Sequence, residues 1–287
     1  MKRANLFLLL TFSISWIIPL VLTILDLKLF LPALILYMFV PMTVAIILQK
    51  KVYHEPIKDL GISWKINRWW FVAWLFPVIL SILTFGISLL FPDISFSPTM
   101  QGMFERLKDN LTPQQIEQIR NMKFPVHPFF ILMLQALIAG ITVNAIAGFG
   151  EELGWRGFLL KEYSHLNIWK ASLIIGFIWG IWHAPIIMQG HNYPQHPFIG
   201  VFMMIAWCIL LTPIMIYLRI KSKSVINSAI FHGSLNGSYG LAIVLIVGGN
   251  DLTVGLTGLA GFIVLIIFNL CLLFDKTIYK TPINELM

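Results

Sequence analysis

Long apolar runs separated by short polar connections dominate this sequence. Crossing a hydrocarbon core of about 30 Å takes about 20 apolar residues in a helix. The pattern therefore predicts an all-α, polytopic transmembrane bundle of about eight helices. The predicted helices are Leu6–Leu25, Leu29–Leu48, Trp69–Phe91, Phe129–Lys161, Ala171–Met188, Phe198–Tyr217, Val225–Val247 and Leu252–Phe274.

The composition supports an integral membrane protein and excludes an ordinary soluble domain. Hydrophobic residues make up 58% of the 287 residues and charged residues only 11%, whereas soluble domains average about 25% charged residues. Lys2 and Arg3 precede the first run, as in a signal peptide, but that run is longer than a signal h-region. We expect a retained first helix and one membrane domain over residues 1–287.

The basic residues predict an orientation. The net charge is +7, but no contiguous basic patch is present, so nucleic acid is not an expected partner. With both termini in the cytoplasm, 15 of the 20 Lys and Arg residues fall on the cytoplasmic side, including Arg156 and Arg219. This bias follows the positive-inside rule and predicts an N-in/C-in topology. Arg156 carries less weight because it can also lie inside the bilayer.

The connection Pro92–Pro128, between the third and fourth predicted helices, is the one long polar insertion. Thr112 and Gln115 form a capping-box pattern around Pro113, which predicts a helix start. The apolar edges before and after it predict two short amphipathic helices on the outer surface. Such helices suit either a solvated linker or a lid over a substrate site.

Two adjacent carboxylates and an arginine interrupt the fourth apolar run. A carboxylate at the centre of a membrane helix costs roughly 2.5–3.5 kcal/mol on insertion scales, so it must be paired, hydrated or functional. Glu152 and Arg156 are four residues apart and can pair on one helix face. Glu151 points about 100° away from Glu152 and is left without that partner. A functional role is therefore expected for Glu151.

Two further polar pairs occur at a spacing of four in apolar helices: Trp179 with His183, and His232 with Asn236. At 1.5 Å of rise per residue from the nearest cytoplasmic lysines, Glu151, both histidines and Asn236 lie about 14–20 Å deep. This estimate requires Glu151 to lie within a long fourth helix. These groups would then share one layer near mid-membrane, in a cavity that holds water.

Such a cavity suits hydrolysis of an acyl group by activated water. A carboxylate beside an imidazole can remove a proton from water. A second histidine and an asparagine amide offer two donors to the oxyanion of a carbonyl under attack. Ser234 lies between His232 and Asn236 in the sequence but on another helix face, so it is not the expected nucleophile.

The three patterns together resemble the EExxxR, [F/W]xxxH and HxxxN motifs of the CPBP family, the CAAX-protease and bacteriocin-processing (Abi) membrane proteins. The motif-bearing core is residues 129–240. The matching residues are Glu151-Glu152 with Arg156, Trp179 with His183, and His232 with Asn236. The resemblance implies a multi-helix membrane fold and a glutamic intramembrane endopeptidase that needs neither metal nor cofactor.

The resemblance also implies the role of each residue. It assigns Glu151 and His183 to water activation, and His232 and Asn236 to the oxyanion. The supporting residues it implies are Glu152, Arg156 and Trp179. Relatives in this family process prenylated CAAX proteins or take part in bacteriocin maturation and self-immunity. The expected substrate is a peptide or membrane protein, with or without a lipid anchor, in the cell membrane.

Three other functions remain open from the residues themselves. A zinc-dependent membrane protease could use the two histidines and two glutamates as ligands, although catalytic zinc sites need three ligands and no HExxH helix is present. A proton-coupled transporter could use Glu151, His183 and His232 as a relay, although no internal repeat is evident. A non-catalytic immunity or binding protein could keep the cavity without turnover.

Overall fold

The computed structural model describes residues 2–107, 112–276 and 280–287, and its regular structure is almost entirely helical. The predicted all-α polytopic bundle is confirmed. The helices are α1 (Arg3–Ile24), α2 (Leu31–Ile47), α3 (Arg68–Ser88), α4 (Gln101–Leu107), α5 (Pro113–Asn121), α6 (Pro128–Ile141), α7 (Val143–Glu152), α8 (Leu160–Glu162), α9 (Ile168–Trp182), α10 (Ala184–Met188), α11 (Pro197–Ser222), α12 (Val225–Ser238), α13 (Leu259–Leu272) and α14 (Ile283–Leu286). The described residues also form two π-helical turns, Leu48–Val52 and Leu153–Leu159, and two 3-10 turns, Ile57–Leu60 and Tyr239–Ala242.

Four described helical segments are long and apolar enough to cross a membrane: α1, α2 with the turn that extends it to Val52, α3 and α11. The pair formed by α6 and the segment Val143–Glu162 would make a fifth. Helices α9 and α13 are apolar but have only 15 and 14 residues. The protein is therefore an integral membrane protein, while the count of eight crossings and the N-in/C-in orientation stay predictions.

The fourth predicted helix, Phe129–Lys161, is wrong as one continuous helix. The chain breaks between α6 and α7 at Thr142, where φ is −117° and ψ is −107°, and bends by 48°. Both halves pack against α12 at close range: a Cβ on Gly140 would lie 2.6 Å from Ser234 Oγ, and one on Gly233 would lie 2.4 Å from Ala145 N. The bend lets both halves follow α12, and Glu151 remains helical, as predicted.

Three other predicted helices end or begin elsewhere than the apolar pattern predicts. The seventh, Val225–Val247, ends at Ser238, and strand β2 (Ile246–Val247) then pairs antiparallel with β1 (Ser95–Phe96). The eighth begins at Leu259 instead of Leu252, after a turn at Gly255 with φ of 83°. The fifth is interrupted after Trp182, just before a proline in the following short helix. Hydropathy alone could not mark these breaks, because the turns are as apolar as the helices.

The insertion between α3 and α6 forms the two predicted short helices, α4 and α5. At the start of α5, the Gln115 amide donates to Thr112 Oγ1 over 3.2 Å and the Thr112 amide donates to Gln115 Oε1 over 2.9 Å. The predicted capping box is therefore confirmed. Both helices border a cavity of about 1070 Å³ against the start of α6, and its lining includes methionine, phenylalanine and isoleucine side chains as well as polar ones.

Two glycines allow the helices that carry the polar motifs to approach closely. A Cβ on Gly148 of α7 would lie 3.2 Å from the Cβ of His232 on α12. A Cβ on Gly180 of α9 would lie 2.5 Å from the Cα of Ile205 on α11. Small residues at helix interfaces permit such contact in membrane bundles, and here they bring α7, α9, α11 and α12 around one polar cluster.

Candidate active site

A buried ion pair lies at the end of α7. Arg156 Nη1 donates to Glu152 Oε1 over 2.9 Å, and both side chains are fully buried. The Arg156 Nη2 atom donates to Thr212 Oγ1 on α11 over 3.1 Å, and the guanidinium carbon lies 4.2 Å from the Trp179 ring centroid. These contacts offset the desolvation of both charges. The predicted pairing of Glu152 with Arg156 is confirmed.

The backbone widens directly after the two carboxylates. Glu152 ends α7, and the π-helical turn Leu153–Leu159 carries Arg156. Turns of this kind are rare in proteins and are frequent at functional sites. The apolar pattern contains no signal for it, so sequence reasoning missed this feature.

Glu151 faces a different group of side chains. It is only 2% exposed, and its Oε2 atom accepts a hydrogen bond from Trp179 Nε1 over 2.8 Å. Its Oε1 atom lies 4.0 Å from His232 Nε2, which is too long for a direct hydrogen bond. One carboxylate oxygen is therefore held by the protein, and the other faces an imidazole across a gap.

His183 and His232 both contact the protein through Nδ1, but their partners differ. His183 Nδ1 lies 2.8 Å from the Trp179 carbonyl oxygen. A carbonyl can only accept, so Nδ1 carries the proton and the Nε2 lone pair stays available when the ring is neutral. His183 is thus arranged as a proton acceptor.

His232 contacts a carboxylate instead of a backbone carbonyl. Its Nδ1 atom donates to Glu152 Oε1 over 2.9 Å, so Nε2 points towards Glu151. A carboxylate on Nδ1 fixes the orientation of the ring. Nε2 of His232 is thus left facing the gap beside Glu151.

Trp179 lies at the centre of this cluster. Its ring centroid is 5.6 Å from that of His183 and 5.8 Å from that of His232. Its indole N–H holds Glu151, and its face covers Arg156. Six of the seven predicted site residues therefore form one connected network, but their catalytic roles stay predictions.

The seventh predicted residue, Asn236, lies outside this network. Asn236 is on α12, one turn beyond His232, and it is exposed. Its side chain makes no hydrogen bond to the described residues. Ser234 is buried with an unpaired Oγ and packs towards Gly140 on α6. This contact places it on another face of α12 from the one that meets Glu152, as predicted.

Sequence reasoning missed two polar positions near the cluster. Thr212 binds Arg156 and donates to the Cys208 carbonyl over 2.6 Å, but a lone threonine in an apolar run carries no signal. Asn144 lies two turns before Glu151 on α7 and lines a cavity of about 240 Å³ with Gln135 and Gly237. The spacing of seven between Asn144 and Glu151 could have identified this position as lying on the same helix face.

Within residues 2–107, 112–276 and 280–287, the structure contains no group of three or more His, Cys, Asp or Glu side chains that could hold a metal ion.

The segment that carries this polar cluster is similar to known proteins. Residues 129–238 match the family described as Type II CAAX prenyl endopeptidase Rce1-like. A curated relative, CAAX prenyl protease 2 of Methanococcus maripaludis, is 32% identical over 92 residues, which cover 30% of this chain and 34% of the relative. The match thus spans about a third of that protein's length. All seven predicted site residues lie within 129–238, and over this segment the chain is similar to the Rce1-like CAAX-protease family, in agreement with the resemblance of its motifs.

Proposed function

We propose that this protein is an intramembrane endopeptidase that hydrolyses a peptide bond with a water molecule activated by Glu151 and His183. The observation that carries the proposal is that the two histidines bind different partners through Nδ1, a carbonyl and a carboxylate. His183 binds a carbonyl through Nδ1 and keeps a lone pair on Nε2, whereas His232 binds a carboxylate through Nδ1 and would offer Nε2–H as a donor in its doubly protonated form. One ring suits a base, and the other suits an oxyanion site.

The proposed reaction starts at the free oxygen of Glu151. Because Trp179 holds Oε2, Oε1 is left to accept a proton from water, which His183 orients from the other side. The water oxygen attacks the carbonyl carbon, and the carbonyl electron pair moves onto the oxygen. His232 and Asn236 donate to that oxyanion. When the C–N bond breaks, Glu151 returns its proton to the leaving amine, so the base is restored.

Glu152 and Arg156 support His232 in this scheme. Glu152 accepts from both side chains through the same oxygen, Oε1, so the arginine fixes the carboxylate that in turn fixes the imidazole. Partners of this kind commonly change activity by about 10- to 100-fold when removed. They act by positioning and do not contact the substrate.

Two cavities suggest the route by which a substrate reaches the site. The large cavity beside α4 and α5 and the smaller one beside Asn144 share Leu132 and Gln135 in their walls. The smaller cavity reaches Gly237, next to the exposed Asn236. A peptide segment entering between α5 and α6 would pass polar groups at Gln135 and Asn144 before reaching α12. This arrangement favours a lid over a simple linker for α4 and α5.

The proposed substrate is a peptide or a membrane-protein segment in the cell membrane. The relative from Methanococcus maripaludis is named as a prenyl protease, which supports testing a prenylated CAAX peptide beside an unmodified membrane peptide. The bilayer itself is the second expected partner.

The test is cleavage of both peptides by the purified protein in lipid vesicles. Glu151→Gln and His183→Ala should each lower kcat by about 10²–10⁴-fold, the range expected for a general acid or base. Glu162→Gln is the matched control, since it removes a carboxylate from the same helical run outside the cluster. Cleavage by Glu151→Gln at the wild-type rate would contradict the proposal.

A chelator separates this proposal from a zinc-dependent protease. Cleavage should persist after prolonged treatment with a strong chelator and removal of the chelate. Loss of activity that added zinc restores would instead favour the zinc-dependent mechanism.

A further inference from the structure

Arg219, in the last turn of α11, is buried without a counter-ion. Its side chain is only 6% exposed, and its Nε atom has no hydrogen-bond partner. Among the described residues, no carboxylate lies within 4.0 Å of its guanidinium. A buried charge is unfavourable unless it is paired. The Nη1 and Nη2 atoms also bind no acceptor among the described residues, but they are not fully enclosed, so they stay open to a ligand from outside the chain.

The guanidinium lies against the connection between α2 and α3. A Cβ on Gly61 would lie 1.6 Å from Arg219 Nη2, so the guanidinium group packs directly on the glycine backbone. Gly61 has φ of 83° and accepts a hydrogen bond from the Val225 amide over 2.9 Å. The Asn67 side chain donates to the Ser222 carbonyl over 3.4 Å. The connection is thus fixed over the end of α11, and the guanidinium is held beneath it.

The same connection presents apolar and cationic side chains outwards. Trp64 is 74% exposed and Ile66 is 69% exposed, while Lys65 lies between them and Arg68 follows. Lys223 is exposed just beyond Arg219, at the end of α11. Exposed tryptophan and isoleucine beside lysine and arginine are typical of segments that lie in the interface of an anionic membrane.

We propose that Arg219 is the centre of a binding site for the phosphate of an anionic lipid headgroup. The planar guanidinium suits paired hydrogen bonds to phosphate oxygens. Trp64 and Ile66 would contact the acyl region beside the headgroup, and Lys65 and Arg68 would attract its negative charge. A free phosphate ion could bind the guanidinium but would gain nothing from the two apolar side chains. The site is separate from the polar cluster on α7, and the proposal does not depend on peptidase activity.

The test uses the full-length protein in a neutral detergent. Phosphatidylglycerol, phosphatidylcholine or inorganic phosphate is added, and the apparent Tm and the lipid retained in native mass spectrometry are measured. Only phosphatidylglycerol should raise the Tm of the wild type. Arg219→Met should weaken phosphatidylglycerol binding by about tenfold or more, the effect expected from losing a hydrogen bond to a charged group.

Lys170→Met is the matched control, because it removes one exposed positive charge from the start of α9. It should keep the wild-type response to phosphatidylglycerol. Arg219→Lys keeps the charge without the paired donors and should bind phosphatidylglycerol with intermediate affinity. This variant tests the site even if Arg219→Met does not fold.

Three results would overturn the proposal. The first is a wild-type response to phosphatidylglycerol in either Arg219 variant. The second is an equal rise in Tm with inorganic phosphate, which would indicate a site for a soluble anion. The third is an equal loss of binding in Lys170→Met, which would indicate that total charge, and not this site, attracts the lipid.

Discussion

Arg156 and Arg219 are both buried at the ends of apolar helical segments, but their surroundings differ. Arg156 donates to a carboxylate and a hydroxyl and lies over an indole ring. Arg219 packs on a glycine backbone, and no carboxylate among the described residues pairs with it. The first cation is matched by groups on α7, α9 and α11, whereas no described residue accepts a hydrogen bond from the Nε atom of the second.

This difference separates a structural cation from one that is available to a ligand. The desolvation of Arg156 is compensated within the fold, and the same contacts orient Glu152 towards His232. Desolvation of Arg219 is compensated only partly, by the negative end of the α11 dipole. The two residues are of the same type and are both buried. Their partners alone therefore decide which arginine stabilises the fold.

Replacing each arginine by methionine should give the largest contrast. Arg156→Met leaves Glu152 as a buried carboxylate without its cation, a change that typically costs about 3–5 kcal/mol. Arg219→Met removes an unpaired buried charge, so the stability in neutral, lipid-free detergent should stay the same or rise. Apparent Tm values of the two variants, measured side by side, check this prediction.

Equal destabilisation by both substitutions would contradict the comparison, because it would mean that Arg219 makes a stabilising contact as strong as that of Arg156. Glu152→Gln with Arg156→Met provides the matched control. The double variant should recover part of the loss, since the uncompensated charge is then absent.

Trp179→Phe should have a smaller effect, restricted to the first region. The substitution removes the indole donor to Glu151 Oε2 and leaves most of the aromatic packing on Arg156. An unsatisfied buried acceptor costs about 1–3 kcal/mol, and the freed carboxylate should lower kcat by about 10- to 100-fold. Trp207→Phe is the control, because the Trp207 ring lies 6.1 Å from that of Trp179 and makes no hydrogen bond to the cluster. A similar loss of kcat in both variants would argue against the hydrogen bond to Glu151.

The sequence predicts those parts of the site that depend on one helix. A spacing of four residues was enough to pair Glu152 with Arg156 and to place Trp179 beside His183, because helical geometry fixes both contacts. Hydropathy likewise predicted the regions of the long apolar helices α1, α2, α3 and α11, and the Thr112 capping box predicted the start of α5.

Contacts between distant segments could not be predicted in this way. The bond from His232 to Glu152 joins residues 80 apart, and the bond from Arg156 to Thr212 joins residues 56 apart. Both depend on the bend at Thr142 and on close glycine contacts, for which one sequence gives no signal. The charge pattern placed Arg219 among the cytoplasmic cations, because it cannot reveal that a neighbouring connection buries this one.

A third arginine, Arg3, is paired at the surface, and removing its carboxylate partner should change the stability least. Glu55 binds Lys161 Nζ over 2.7 Å and Arg3 Nη1 over 2.6 Å, and these partners lower the pKa of its carboxyl group to about 2. The ionised form is therefore favoured by folding. Its contribution is fully present above the ordinary pKa of about 4.3 and is lost as the pH falls towards 2.

Because the cluster is partly exposed, Glu55→Gln should cost only about 1 kcal/mol or less at pH 7. The difference in apparent Tm from the wild type should be constant from pH 7 to pH 5 and should shrink below pH 4. Asp59→Asn removes a carboxylate from the same connection without breaking an ion pair, so an equal loss in that variant would show that net charge, and not pairing, stabilises this end of the protein.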